Sequence, residues 1–246
     1  MNGDEKITMK TRFLPALFIP PLLYFAAAGT ASADILFTVG LDTIPLTTTP
    51  GDQAAPFSLA FQLTQGDPAN VTNTATVSDF VFGGGSAGAC PANCIRFGNV
   101  SGDATTSIHL STSDGFEALI QTFTPGTALS FLVDLTTNPN NPILGAAPDT
   151  FAFDILDGNL FPIPTQDPSG ADTLVTVDIN SPNPTVDSYA TDPNRGTNKG
   201  NVSITMGPAT ITIEEVPEPG TLTLLGTVLV CAGVLRRRRH LRVPNA

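Results

Sequence analysis

The sequence predicts an all-β domain, built as an antiparallel two-sheet β-sandwich of jelly-roll-like form. Apolar residues alternate with polar or small ones in many short runs, as at Phe57, Leu59, Phe61 and Leu63, and this period of two is typical of half-buried strands. Turn-forming Gly, Pro, Asp and Asn separate the runs. The only short candidate for a helical turn is Phe116–Ile120. Many short strands without interposed helices favour two packed antiparallel sheets.

The alternation places each strand and its inward side chains. We expect strands at Ile35–Val39, Phe57–Leu63, Ala75–Phe82, Ile95–Val100, Thr105–Leu110, Phe116–Phe123, Leu129–Leu135, Phe151–Leu156, Leu174–Ile179, Val202–Met206 and Thr210–Ile213. The core is expected to be rich in phenylalanine, with Phe61, Phe80, Phe82, Phe97, Phe123, Phe131, Phe151 and Phe153 inward. Two stretches rich in Asn, Pro, Asp and Gly, Asn138–Pro148 and Ser181–Gly200, are predicted to be long loops.

The part of the chain from residue 34 to residue 215 is strongly acidic. Its cations are Arg96, Arg195 and Lys199, against nineteen Asp and Glu, so it is more acidic than the whole-chain net charge of -11 indicates. Nucleic acid is excluded as a partner, because binding phosphates requires a basic surface. The acidity is expected to keep the domain soluble, and binding of a divalent cation is the alternative. The absence of Trp weakens any prediction of an aromatic platform for sugar rings.

Cys90 and Cys94 are the only cysteines in this part of the chain. In an oxidising compartment they are expected to form a structural disulfide that closes a small loop. A metal site is the alternative, but two thiolates without a neighbouring His or further Cys leave its coordination incomplete. A redox-active pair is a third reading, although such pairs usually have C-x-x-C spacing.

The sequence contains no recognisable catalytic motif. His109 is the only histidine between residues 34 and 215, and the alternation with Ile108 and Leu110 places it on the solvent-facing side of a strand. The nucleophile elbow, the H-E-x-x-H zinc motif and the phosphate-binding loop are all absent. We therefore predict a protein that is not an enzyme, with no catalytic residue and no cofactor.

Acidic residues leave two alternatives to that prediction. A glycosidase would use paired carboxylates, such as Asp154 with Asp157 or Asp114 with Glu117, but their separation cannot be read from the sequence. A bound Ca²⁺ would use oxygen ligands gathered around a turn, although the loop of an EF-hand is not present. These candidate ligands are Asp149, Asp154, Asp157 and Asn159.

The N-terminus has the pattern of a secretory signal peptide. Lys10 and Arg12 precede the apolar run Phe13–Ala28, and Ala31 and Ala33 supply the small residues of a signal-peptidase site. Prolines in the run would weaken a permanent spanning helix, which favours a removed signal. We predict that residues 1–33 are removed by signal peptidase and that the mature chain begins at Asp34, outside the cytoplasm.

The C-terminus carries three unlike elements in a fixed order. Pro217, Glu218 and Pro219 are followed by an apolar segment, Thr221–Leu235, and then by a basic cluster of four arginines, Arg236, Arg237, Arg238 and Arg239. About fifteen residues in a helix reach about 22 Å, which is short of the ~30 Å hydrocarbon core unless the arginines extend toward the interface. Arginine clusters beside a span stay cytoplasmic, so the residues before Glu218 are expected outside. Cys231 is a small apolar residue of this segment.

These elements resemble the PEP-CTERM sorting tail of bacteria. The resemblance covers residues 216–246 and implies recognition of Pro217-Glu218-Pro219 by exosortase, a membrane-embedded cysteine transpeptidase. A plain C-terminal membrane anchor is the alternative, but an anchor needs no Pro-Glu-Pro. The resemblance further implies a precursor held in the bacterial inner membrane and an association with exopolysaccharide.

The sequence therefore predicts three parts with different fates. Residues 1–33 form a signal peptide, residues 34–215 an exported β-sandwich domain, and residues 216–246 the sorting tail. The leading hypothesis is a non-enzymatic surface or extracellular-matrix protein. The alternatives are a carbohydrate-binding or matrix-binding module and, less favoured, a glycosidase.

Overall fold

A computed structural model describes residues 35–48, 55–67, 72–136, 147–179, 184–198 and 202–214. Within these ranges the chain forms thirteen strands, the four-residue helix α1 (Ile44–Thr47) and a 3-10 turn (Thr112–Asp114). The strands are β1 (Ile35–Asp42), β2 (Phe57–Thr64), β3 (Thr74–Val81), β4 (Ser86–Ala87), β5 (Cys94–Phe97), β6 (Val100–Gly102), β7 (Ile108–Ser111), β8 (Phe116–Thr124), β9 (Ala128–Leu135), β10 (Asp149–Leu156), β11 (Val175–Ile179), β12 (Val186–Ser188) and β13 (Thr210–Glu214).

The strands form two antiparallel sheets, as the sequence predicts. The first sheet has the order β13-β1-β9-β3-β7-β6. The second has the order β12-β11-β10-β2-β8-β4, and β5 also pairs with β8. The all-β, two-sheet prediction is confirmed, whereas the closer comparison with a jelly roll stays a prediction.

One apolar core lies between the two sheets. Phe61, Phe131 and Phe153 are inaccessible to solvent or nearly so, and their ring centroids lie 4.9 to 5.3 Å apart. Such close edge-to-face and tilted contacts between rings add stabilisation to burial itself. Phe123 and Phe151 are also buried, so these five predicted core residues are confirmed. Two others, Phe80 and Phe82, are partly buried against this core.

The inward placement predicted for Phe97 is wrong. The register of β5 on β8 sets Phe97 opposite Ala118, on the outer face of the second sheet, and its side chain is 47% exposed. There its ring lies 6.3 Å from that of Phe116. A period of two fixes which residues share a face, but it does not say which face is inward.

The strand predicted at Phe116–Phe123 is confirmed as β8, and its pairing with β2 replaces the alternative of a helical turn at residues 116–120. Two other predicted elements differ from the structure. Residues 202–206 are not a strand; Ile204 and Met206 are nevertheless buried and bonded to Thr191. The predicted loop Ser181–Gly200 contains β12, which pairs with β11.

The two predicted membrane-directed segments, residues 1–33 and 216–246, lie outside the described residues. Among the residues that are described, none forms a helix with the length and apolar character needed to span a membrane.

Candidate functional site

An acidic cleft lies on the outer face of the second sheet, where β2, β10 and β11 meet the loop that joins β10 to β11. Its volume is about 620 Å³. The lining residues are Gln62, Thr150, Ala152, Asp154, Pro162, Asp167, Pro168, Ser169, Ala171, Thr173, Thr176, Asp178, Asp187 and Tyr189.

The alternation of β10 directs Asp154 into this cleft. Phe153 and Ile155 face the core and are inaccessible to solvent or nearly so, which leaves the intervening Asp154 on the opposite face. Asp154 pairs with Ala60 of β2, and Ala152 stands two residues away on the same face. Small neighbours leave room beside the carboxyl group, while the overlying loop reduces its exposure to 1%.

One oxygen of Asp154 is paired and the other is not. Nε2 of Gln62 donates to Oδ2 at 2.6 Å. Among the described residues, Oδ1 has no hydrogen-bond partner, although it is buried. Burial raises the pKa of Asp154 to about 8, and the neighbouring charges of Asp167 and Asp172 act in the same direction. The bond from Gln62 opposes this shift without cancelling it.

Asp167 organises the loop that covers the cleft. Its carboxylate accepts hydrogen bonds from the backbone N–H and the hydroxyl of Ser169, both at 2.8 Å, and from the hydroxyl of Thr173 at 2.7 Å. Burial acts to raise the pKa of Asp167, but these hydrogen bonds prevail and hold the pKa below its ordinary value. Both oxygens of Asp167 are therefore committed to holding the loop.

An ion pair fastens the same loop to the segment after β12. The Arg195 guanidinium donates to Oδ1 and Oδ2 of Asp172 at 2.7 and 2.9 Å, in a bidentate pair. The backbone N–H of Gln166 donates to the carbonyl of Ala190, and Thr165 bridges to Thr191. Asp172 is thereby turned toward Arg195, and the described part of the cleft lining contains no Lys, Arg or His.

The four predicted calcium ligands do not converge. Asp149 accepts from the backbone N–H of Gly66 at 3.0 Å and from the Asn73 amide at 2.7 Å. Oδ1 of Asp157 accepts from the backbone N–H of Asn159 at 2.8 Å, so it stabilises the turn after β10. Asp154 faces the opposite side of the strand. Over the described ranges, no group of three or more His, Cys, Asp or Glu could hold a metal ion.

The pair Asp114 and Glu117 is close, but it lies outside the cleft. The backbone N–H of Asp114 donates to Oε1 of Glu117 at 2.9 Å, and burial raises the pKa of Glu117. Glu117 faces inward from β8 and has no solvent-accessible surface. Such a carboxylate closes the turn before β8 and has no open side for a substrate.

His109 is exposed on the outer face of the first sheet, which confirms its predicted orientation. Its Nδ1 lies 3.1 Å from the hydroxyl of Thr76, and its Nε2 lies 3.2 Å from the hydroxyl of Ser107. Hydroxyls on both sides position the ring without supplying the carboxylate that orients a catalytic histidine.

Cys94 is the first residue of β5, Cys90 lies in the turn before it, and their sulfur atoms are joined in a disulfide. The bridge closes the turn between β4 and β5, at the edge of the second sheet. The other predicted site residues are outside the described ranges: Ala31 and Ala33, Pro217, Glu218 and Pro219, and Arg236 to Arg239.

The described residues thus define an all-β domain with an acidic surface cleft, and the chain continues beyond β13 into a segment of different composition. Residues 215–239 of that segment match the family model described as the PEP-CTERM protein-sorting motif. The match confirms the resemblance, and it marks the chain as an exported protein targeted to exosortase, with a membrane-anchored precursor. No curated protein and no solved structure matches this chain.

Most of the cleft was not predictable from the sequence. Asp154 was considered as a candidate, and the alternation of β2 indicates that Gln62 faces away from the core. Asp167, Asp178 and Asp187 carry no motif that would distinguish them from other acidic residues. The cleft forms because the loop between β10 and β11 folds over the sheet. Such a loop has no periodic pattern in the sequence from which its position could be predicted.

Proposed function

We propose that this chain is a non-enzymatic protein of the bacterial surface or extracellular matrix, delivered by exosortase-type processing. The match at residues 215–239 is the observation that carries the proposal. The arginine cluster at the end of the matched range favours a cytoplasmic C-terminus, which puts the β domain outside the membrane. In this scheme Pro217-Glu218-Pro219 is a substrate peptide, and the transpeptidase supplies the chemistry.

The commitment of the candidate acids supports a non-enzymatic role. A glycosidase needs a second carboxylate free to act as base or nucleophile opposite the acid. Both oxygens of Asp167 are occupied by Ser169 and Thr173, and Glu117 is enclosed in the core, so neither of these two acids is free for that role. Any hydrolysis in a broad glycan screen that is lost in Asp154→Asn would contradict this part of the proposal.

Sorting is tested by replacing Pro217-Glu218-Pro219 with three alanines. The variant is expected to accumulate as an unprocessed, membrane-bound precursor, whereas the wild-type chain is processed. Alanines at Asp192-Pro193-Asn194 form the matched control, since they also remove one acid and proline but leave the tail intact. Equal processing of the tail variant and the wild type would refute the assignment.

The cleft favours a second function, that of a carbohydrate-binding or matrix-binding module. Its lining combines hydroxyl groups, carboxylates, one amide and the ring of Tyr189, which are groups able to bond the hydroxyls of a sugar. The test is retention of the mature protein on the cell's own purified polysaccharide, with and without Ca²⁺. Failure of retention under both conditions would remove this candidate.

A further inference from the structure

We infer that the acidic cleft binds the protonated amine of a small amino sugar, with the ammonium group donating to Oδ1 of Asp154. The inference rests on the second function proposed above and specifies the chemistry of its ligand. It is independent of the sorting tail.

The first argument is the unpartnered oxygen. Asp154 is 1% exposed and lines the cleft, and Oδ1 has no hydrogen-bond partner among the described residues. Buried polar atoms are almost always hydrogen-bonded, and leaving one unpaired costs stability. Gln62 donates to Oδ2, so this hydrogen bond leaves Oδ1 as the oxygen of the carboxyl group without a described donor. A ligand that brings a donor to Oδ1 would satisfy the one buried, unpartnered side-chain oxygen among the described residues that line the cleft.

The second argument is the sign of the charge. Among the residues that the structure describes, four aspartates line the cleft and no Lys, Arg or His does. The nearby Arg195 is held in a bidentate pair with Asp172. A phosphate, sulfate or uronate would be repelled, while a cation would be attracted and would favour ionisation of Asp154.

The third argument separates an organic ammonium from a metal ion. Ca²⁺ requires six to eight oxygen ligands at short range, usually including several carboxylates. In the part of the chain that the structure describes, no three acidic, His or Cys residues are arranged to hold a metal. Both oxygens of Asp167 are already engaged by Ser169 and Thr173. An ammonium group needs only a few acceptors in suitable directions, which Asp154 and the surrounding hydroxyls provide.

The fourth argument is the rest of the lining. A cleft of about 620 Å³ lies within the usual range for small-molecule sites, roughly 300 to 1,000 Å³. Thr150, Thr173, Thr176 and Ser169 offer hydroxyls, while Tyr189 and two prolines offer apolar surface. Hydroxyl groups beside apolar surface suit a sugar ring better than a plain aliphatic polyamine. The ligand class is therefore an amino sugar with a free amine.

Calorimetric titration of the mature exported protein tests the inference. The probes are the β-1,4-linked dimer of glucosamine, its N-acetylated form, spermidine and CaCl₂. We expect saturable binding of the glucosamine dimer only. Asp154→Asn should weaken it about tenfold or more, as expected for loss of a charge-assisted hydrogen bond. The matched control is Asp134→Asn, which removes the same charge from an exposed position on the first sheet.

A second variant keeps the test valid if Asp154→Asn fails to fold. Ala152→Leu fills the cleft without changing its charge and should also abolish binding, while circular dichroism checks both variants. No saturable binding of the glucosamine dimer, or equal binding by Asp154→Asn, would overturn the inference. Equal binding of the N-acetylated form, of spermidine, or of Ca²⁺ at the same site would also overturn it. Retention on polysaccharide that is unchanged in Asp154→Asn would leave the second function standing and refute this ligand.

Discussion

Leu36 near the start of β1 and Glu214 at the end of β13 are directly paired across the edge of the first sheet. Leu36 follows the predicted signal-peptidase site by three residues, and Glu214 immediately precedes the matched segment 215–239. The two ends of the described domain therefore leave it at one corner. Because β13 is the last strand, this edge is completed only after almost the whole domain has crossed the membrane.

Two isoleucines of β13 should differ in their contribution to this edge. Ile211 packs against the core, whereas Ile213, on the same face of the strand, is 62% exposed. Ile211→Ala should lower the free energy of unfolding by about 1 to 2 kcal/mol, and Ile213→Ala should change it by less than about 0.5 kcal/mol. Urea denaturation of both variants measures the difference. Equal losses would mean that the contact of the partly buried Ile211 with the core does not stabilise β13.

Asp154 should make the domain less stable as the pH rises. Its pKa is raised from 3.8 to about 8, so the folded state holds a proton that the unfolded state releases. This favourable effect is fully present below about pH 4 and is lost progressively up to about pH 8, at a cost on the order of a few kcal/mol. The groups that face Asp154 are Gln62, Asp167 and the Asp172–Arg195 pair, with Asp178, Asp187 and Tyr189 lining the same cleft.

Asp154→Asn should therefore flatten the pH dependence of stability. Urea midpoints at pH 5 and pH 8.5 should differ less in this variant than in the wild type. If the wild type and Asp154→Asn lose the same stability over this interval, Asp154 does not carry the buried proton.

Asp167 should have the opposite dependence on pH. Its pKa is lowered, so its contribution to stability is present above the unfolded pKa and is lost as the pH falls through the folded value. Asp167→Ala would leave the donors of Ser169 and Thr173 unsatisfied, and the buried Thr173 should account for most of a loss of about 2 to 3 kcal/mol.

Asp103→Ala is the matched control for Asp167→Ala. Asp103 accepts from the backbone N–H and hydroxyl of Thr105 in a similar local motif, but Thr105 is exposed and water can replace the lost acceptor. Thermal or urea unfolding should give a clearly smaller loss for Asp103→Ala. If Asp103→Ala loses as much unfolding free energy as Asp167→Ala, then Asp167 stabilises the covering loop no more than an exposed aspartate stabilises its own turn.

The bridge between Cys90 and Cys94 should be present in the exported protein. Intact mass should show alkylation of both thiols only after reduction, and alkylation before reduction would contradict the disulfide. The bridge spans four positions of sequence, and closing so small a loop is worth about 2 kcal/mol in the chain-entropy account. Replacing both cysteines with serine should cost about that much.

Local chemistry made part of the fold predictable. The alternation at Phe57–Leu63 and at Phe151–Leu156 indicated half-buried strands, and both are strands in the structure. Phe97 shows where the same signal fails, since its face depends on the register of β5 on β8. Val202–Met206 alternates like a strand, yet its backbone is hydrogen-bonded to the Thr191 hydroxyl and it is not a strand in the structure.

The cleft illustrates a second limit of the sequence. That Asp154 would face away from the core follows from its apolar neighbours Phe153 and Ile155. That it would be buried does not follow, because its cover comes from the loop around Asp167, beyond the end of β10. A contact between residues so far apart in the chain is set by the tertiary fold. It produces no periodic pattern that a single sequence would show.

Both described arginines are bonded within the molecule, and this affects the electrostatic interaction between neighbouring copies of the protein. Arg195 is held by Asp172, and Arg96 donates to the carbonyl of Gly102 at 2.7 Å. The bond to a carbonyl leaves the charge of Arg96 in place, but across the described ranges the acidic residues far outnumber these two arginines. In the surface role proposed above, neighbouring molecules on one cell would repel each other over a Debye length, about 10 Å at 0.1 M salt. Ionic strength would then set the lateral spacing of such a coat.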